Sequence, residues 1–151
     1  MDHFVRLAQQ DDVGVLQLLE SDARAQLARF RGGEQLGNEL PAVGNQWSEC
    51  IGSGDWGIFV SGFDDVVLGY LCLNLATTNN VPRIEWVYVT ADARQLGLGE
   101  SLVSAAIEFG SQYGAVAIDA FALPGDRETK NLFERSGLTA RLLIVSKRIG
   151  K

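Results

Sequence analysis

A chain of 151 residues with 46% hydrophobic residues and a formal net charge of −6 has the length and composition of one globular domain, spanning 1–151. The acidic balance argues against broad nucleic-acid binding, which draws most of its affinity from basic patches. No apolar run approaches the roughly 20 residues of a membrane-spanning helix, the first ten residues lack the basic start and apolar stretch of a secretion signal, and Cys50 and Cys72 fall in no CxxC or Cys/His pattern. A reduced, cytoplasmic protein without a membrane partner or a metal centre is expected.

Residues 4–7 read as a first strand, and Asp11 or Asp12 then stands where a short carboxylate can cap a helix. Val15, Leu18, Leu19, Ala23, Leu27 and Phe30 recur at helical spacing. The stretch 31–54 is rich in Gly, with Pro41, and reads as loop with at most a short helix. Residues 55–61 and 66–76 are rich in β-branched and aromatic types and flank Gly62-Phe63-Asp64-Asp65, a hairpin connection. Residues 83–89 form a further strand. Leu98, Leu102, Ala106 and Phe109 put one apolar stripe on a helix of about three turns that ends near Gly110 or Gly114. A buried strand over 116–121, a short helix through Asn131 and Phe133 capped by Gly137, and a last strand over 141–148 close the chain. The pattern predicts an α/β fold: a mixed, mostly antiparallel sheet of about six to seven strands flanked by helices.

The stretch with chemical content is Arg94-Gln95-Leu96-Gly97-Leu98-Gly99-Glu100, which follows strand Val87-Tyr88-Val89 and opens the second long helix. A helix start offers unpaired N–H groups and the positive end of a dipole, and alternate glycines let a pyrophosphate approach the main chain. The GxxxxGK[ST] loop of nucleotide triphosphatases is absent. A dinucleotide site has Gly97 and Gly99, with Asp119 at a suitable distance, but residues 90–96 separate strand from glycine and Leu102 fills the third small position.

Arg94-x-x-Gly97-x-Gly99 at a strand-to-helix junction resembles the [R/Q]xxGx[G/A] signature of the GNAT superfamily of acetyltransferases. Downstream, Asn131-Leu132-Phe133-Glu134-Arg135-Ser136-Gly137-Leu138 resembles that family's N-x-[YF]-E-x-x-G-[FL] segment. The resemblance implies a GNAT-like N-acetyltransferase fold that uses acetyl-CoA as co-substrate. It implies that main-chain N–H groups of Gln95, Leu96, Gly97, Leu98, Gly99 and Glu100, with Arg94 beside them, hold the coenzyme pyrophosphate. It further implies that the backbones of Val87 and Val89 pair with the pantetheine arm and acetyl carbonyl, that Asn131 reaches that arm, and that Phe133 packs beside the thioester. Glu85 resembles the family's general base; strict alternation puts it on one face with Val87 and Val89. Many members carry a tyrosine at Phe133 as general acid, so no acid is assigned. The acceptor would be a small-molecule amine or a protein amino group, and family habit allows a homodimer. A non-catalytic acyl-CoA sensor on the same fold is the alternative function.

Overall fold

The computed structural model describes residues 2–150. Strand β1 (His3–Leu7) leads through a 3-10 turn into helix α1 (Val13–Ala25). Asp12 stands at the N-cap of α1, but its carboxylate accepts none of that helix's free N–H groups. Its carboxylate turns back to accept the Gln9 N–H at 2.7 Å, and Arg6 clamps both of its oxygens at 2.7 and 3.1 Å. That pairing, offset in part by burial, holds the Asp12 carboxyl below its ordinary range.

The segment 31–54 is more ordered than its glycines suggest, with helices α2 (Gly33–Glu39) and α3 (Trp47–Gly52). A buried carboxylate sets this order. Glu20 of α1 accepts the N–H groups of Val43 at 2.8 Å and Gly44 at 2.9 Å, fixing the entry to α3. Trp47 is then fully buried, edge-on to Tyr70 with ring centroids 5.7 Å apart.

β2 (Trp56–Phe63), β3 (Val66–Asn74) and β4 (Arg83–Val89) continue an antiparallel meander from β1, and β5 (Asp119–Ala120) adds in parallel to β4. Side-chain alternation along these strands supplies two cores. Ile58, Val60, Tyr70 and Cys72 face α1 and α3, while Phe59, Leu71 and Leu73 face α4 (Leu98–Gln112) and α5 (Arg127–Arg135). Cys72 is plain filler, its thiol pushed up by burial. Helix α5 ends as its sequence indicates: Gly137 N–H bonds Glu134 O and Leu138 N–H bonds Phe133 O.

The mixed, mostly antiparallel sheet is therefore present, with five strands rather than six to seven. The expected strand at 116–121 shrinks to β5 because only Arg83 and Ile84 pair with it. The expected strand at 141–148 lacks regular structure, since nothing in the described chain pairs with it. No helix among the described residues is long and apolar enough to cross a membrane.

Candidate functional site

β4 organises the site through an irregularity. Cys72 pairs with Trp86 but Leu73 pairs with Ile84, so Glu85 is an extra residue with no partner on β3. The bulge switches which main-chain groups face outward. Thr90 N–H bonds Leu68 O at 2.9 Å, so in an antiparallel ladder Tyr88 and Trp86 turn their main chain toward β3. Val87 and Val89 turn theirs to the opposite flank. Before the bulge, Pro82 faces that flank, where its carbonyl accepts from Asp119 N–H at 2.9 Å. Beyond Ile84 the flank has no strand, because β5 pairs only at its base. No strand of the sheet therefore pairs beside Val87 and Val89 on this flank. Their side chains pack in the α4-side core.

Glu85 does not follow the alternation expected of it. Ile84 shares the α4-side core with Val87 and Val89, whereas strict alternation would put Glu85 there. The bulge places Glu85 in a polar cluster instead, 8% exposed. Its Oε2 accepts from Asn74 Nδ2 at 2.8 Å and from Arg83 Nε and Nη2 at 3.2 and 2.7 Å. Sequence reading missed both partners, although Arg83 lies two residues away on one strand and so was the available signal.

The loop after β4 begins with a 3-10 turn at Ala91–Ala93. Arg94 then folds back. Its Nε donates to Val89 O at 2.9 Å, Nη1 to Glu128 of α5 at 2.9 Å, and Nη2 to Gln26 at 3.5 Å, with the guanidinium 5.5 Å over the Tyr88 ring. Arg94 is therefore a tie between β4, the end of α1 and the start of α5. Gln95 holds φ +65°, an uncommon conformation for a non-glycine residue, and the family often has glycine there. Gly97 follows at φ +88° as the α4 N-cap, and a Cβ built on it would meet nothing within 4 Å. The loop thus opens onto space at that point. Among the described residues, no acceptor bonds the main-chain N–H groups of residues 95–100, so these donors suit an anion.

Gly99 has a packing task besides the donor role that the resemblance implies. It is buried, and a Cβ there would lie 3.1 Å from Leu132 Cδ2, so its bareness lets α5 pack on α4. Leu98 is likewise buried, while Gln95 and Leu96 are exposed and Glu100 is half-buried. On α5, Asn131 is exposed and Phe133 is buried in the α4-side core. His3, the sole histidine, is exposed, with Nε2 2.8 Å from Ser101 Oγ.

A groove of about 610 Å³ lies beside the end of α1, lined by Arg24, Leu27, Phe30, Gly33, Glu34 and Asn38 among others. Arg24 stacks 5.1 Å over Trp86 of β4 and donates to Gly37 O at 2.8 Å. The groove therefore adjoins β4, which the sequence could not show while 31–54 read as loop. No cluster of three or more potential metal ligands occurs among the described residues.

Comparison with known proteins follows this geometry. Residues 16–138 match the model of the acetyltransferase (GNAT) family. No curated protein matches the chain by sequence. Among solved structures, a transcriptional regulator from Bacillus halodurans C-125 superposes with a TM-score of 0.72 at 20% identity, covering 97% of this chain and 99% of that one. A Pyrococcus furiosus protein described as a candidate acetyl transferase gives 0.71 at 22% identity, covering 98% and 100%. The aminoglycoside N-acetyltransferase AAC(6')-Iy, bound to the bisubstrate analogue CoA-S-monomethyl-acetylneamine, gives 0.70 at 16% identity, covering 99% and 100%. At these identities the three structures speak to the fold.

Proposed function

The chain belongs to the GNAT family of acetyltransferases, and from that premise we propose that its residues 1–151 act as one N-acetyltransferase domain, moving the acetyl group of acetyl-CoA to an amine. The observation that carries this reading is the open flank of β4 running directly into a loop of unclaimed N–H groups. The residues suit a pyrophosphate followed by an extended arm: donors at 95–100 for the anion, then main chain at Val89 and Val87 for the amide-bearing arm. Asn131, exposed on α5, would reach the same arm by the family resemblance. Acetyl-CoA supplies an activated acyl group on a thiol that leaves readily, its pKa near 8.5.

The chain's own groups would then do three things. A main-chain N–H of the open flank donates where negative charge grows on the acetyl oxygen. Glu85 takes the proton from the amine, directly or through water. Arg83 and Asn74 hold one of its oxygens, which fixes the carboxylate at the bulge. An amine with pKa near 10.4 is mostly protonated at neutral pH and has no lone pair until that proton is removed. Phe133 has no proton to give, and Tyr70 is buried with its phenol pushed well above its ordinary value by burial. The thiolate therefore departs without an assigned acid. The groove beside α1 would admit the acceptor, and Glu34 on its wall suits a cationic amine. AAC(6')-Iy holds an analogue containing an acetylated aminoglycoside fragment, which makes aminoglycosides one set of amines to try. A cytoplasmic setting fits the two free cysteines.

A non-catalytic acyl-CoA sensor is the second reading, favoured by the Arg83–Glu85 ion pair and by Phe133. Acetyl-CoA consumption with thiol release, measured against a panel of primary amines and aminoglycosides, separates the two. Amine-dependent release supports the enzyme. Saturable acetyl-CoA binding without release under any amine supports the sensor.

A further inference from the structure

The groove beside α1 holds a positive charge with no anion on it. Arg24 is half-buried in the groove wall, its Nη2 on Gly37 O at 2.8 Å and its guanidinium 5.1 Å over Trp86. Its Nη1 is buried and bonds nothing among the described residues. No carboxylate among them forms an ion pair with it. Glu20, one turn earlier on α1, spends both oxygens on the N–H groups of Val43 and Gly44. A buried donor without an acceptor is costly, and a charged one more so, which points to an acceptor supplied from outside the chain. The partner that a guanidinium fork fits best is a carboxylate, through two parallel N–H bonds.

The bulge on β4 brings this charge beside the proposed base. Trp86, under the guanidinium, belongs to the α1-side core. Glu85 faces the same side, because its carboxylate reaches Asn74, which alternates with Tyr70 and Cys72 on that face of β3. Regular alternation would put Glu85 and Trp86 on opposite faces, whereas the inserted residue puts them side by side. An amine presented to Glu85 with a carboxylate on its adjoining carbon would therefore meet Arg24. Leu27 and Phe30 give the groove apolar wall for the rest of such a molecule, and its volume suits a small ligand.

We propose, resting on the acetyltransferase reading given for this site, that the acceptor is a free amino acid, its α-amino group at Glu85 and its α-carboxylate on the Arg24 guanidinium. Glu34, exposed on the same wall, draws the ammonium end of the zwitterion while Arg24 takes the other. Helix α2 lies over the guanidinium at Gly37, and of its residues only Gly33 is buried, so a small shift of α2 opens Nη1 to the carboxylate. In the transfer, the amine nitrogen bonds to the acetyl carbon as the carbon–sulfur bond breaks. The ammonium sheds two protons: one passes through Glu85 to solvent, and one is matched by the proton that ends on the departing thiolate.

Thiol release from acetyl-CoA tests it on matched acceptors: common L-amino acids, each set beside its carboxamide and its decarboxylated amine. The full chain should prefer the amino acid over its carboxamide by about tenfold or more in kcat/KM, chiefly through KM. Arg24→Met, which keeps an apolar chain on Trp86, should bring that ratio close to one. Arg24→Lys, with charge but no fork, should fall between. In an amide NMR titration of the full chain with the same amino acids and CoA, shifts should centre on Arg24 and residues 33–39. A carboxamide or plain amine used as well as the amino acid, a ratio unchanged in Arg24→Met, or no shifts at those residues would overturn the amino-acid assignment and leave the acetyltransferase reading standing. Thiol release with no acceptor at all would instead fail that reading, and the assignment with it.

Discussion

The two flanks of β4 differ as much as any two parts of this molecule. Toward β3, residues 83–89 are bonded along the strand, interrupted once by Glu85. Toward β5, the ladder stops after Arg83 and Ile84. The closed flank gives β4 rigidity, while the open flank leaves the main chain of Val87 and the N–H of Val89, whose carbonyl Arg94 occupies, to a partner outside the sheet. One residue converts the first condition into the second. The Glu85 bulge shifts the backbone phase so that Val87 and Val89 face the gap, and it lifts its own carboxylate out of the apolar core.

Five substitutions would break or sharpen this contrast. The largest effect is expected from Glu85→Gln, which preserves size and bulge but removes the proposed base. Turnover should fall by about 10²-fold or more while acetyl-CoA affinity stays within about twofold. Unchanged turnover across pH in steady-state kinetics would take Glu85 out of the chemistry.

A second contrast is between two glycines of one loop. Gly97→Ala must hold a side chain at φ +88°, costing about 1–2 kcal/mol at the helix start. Calorimetry should show acetyl-CoA affinity weakened about tenfold, since the N–H cradle shifts with it. Gly99→Ala instead presses on Leu132, so thermal stability should drop while affinity is nearly kept. Equal loss of affinity in both would mean that Gly99 also approaches the coenzyme.

Arg94→Ala comes third. It leaves Val89 O without its donor and unties α1 and α5 from the loop. A Tm lower by roughly 2–6 °C is expected by scanning calorimetry, corresponding to about 1–2 kcal/mol. The smallest effect lies at the opposite edge of the sheet, where Arg6 holds the Asp12 carboxyl below its ordinary value near 3.9. Such a group stabilises the fold above its unfolded pKa and loses that contribution as pH falls through its lower folded value. Asp12→Asn should therefore flatten the loss of stability as pH falls below the ordinary carboxylate value near 3.9 in acid melts, without altering acetyl-CoA affinity.

The closed flank was legible in the periodicity of the sequence, whereas the open one entered only through the family resemblance. Apolar alternation in β2, β3 and β4 and the helical stripe from Leu98 to Phe109 report local geometry directly, so the order of elements and the loop 94–100 followed from them. The position of the bulge at Glu85 escaped because a one-residue insertion leaves composition unchanged while reversing every face behind it. The packing task of Gly99 stayed hidden because the motif names a glycine without saying whether a helix also approaches it. Residues 31–54 were misread because their order depends on Glu20, far away in sequence, and the tail 141–148 because strand propensity cannot say where a partner is.

The most direct test of the open flank is an amide NMR titration of the full chain with acetyl-CoA. Saturable shifts centred on Val87, Val89 and residues 95–100, with β3 amides unmoved, are the expected result. A folded chain showing no shifts, or shifts confined to the groove beside α1, would contradict a coenzyme site on β4.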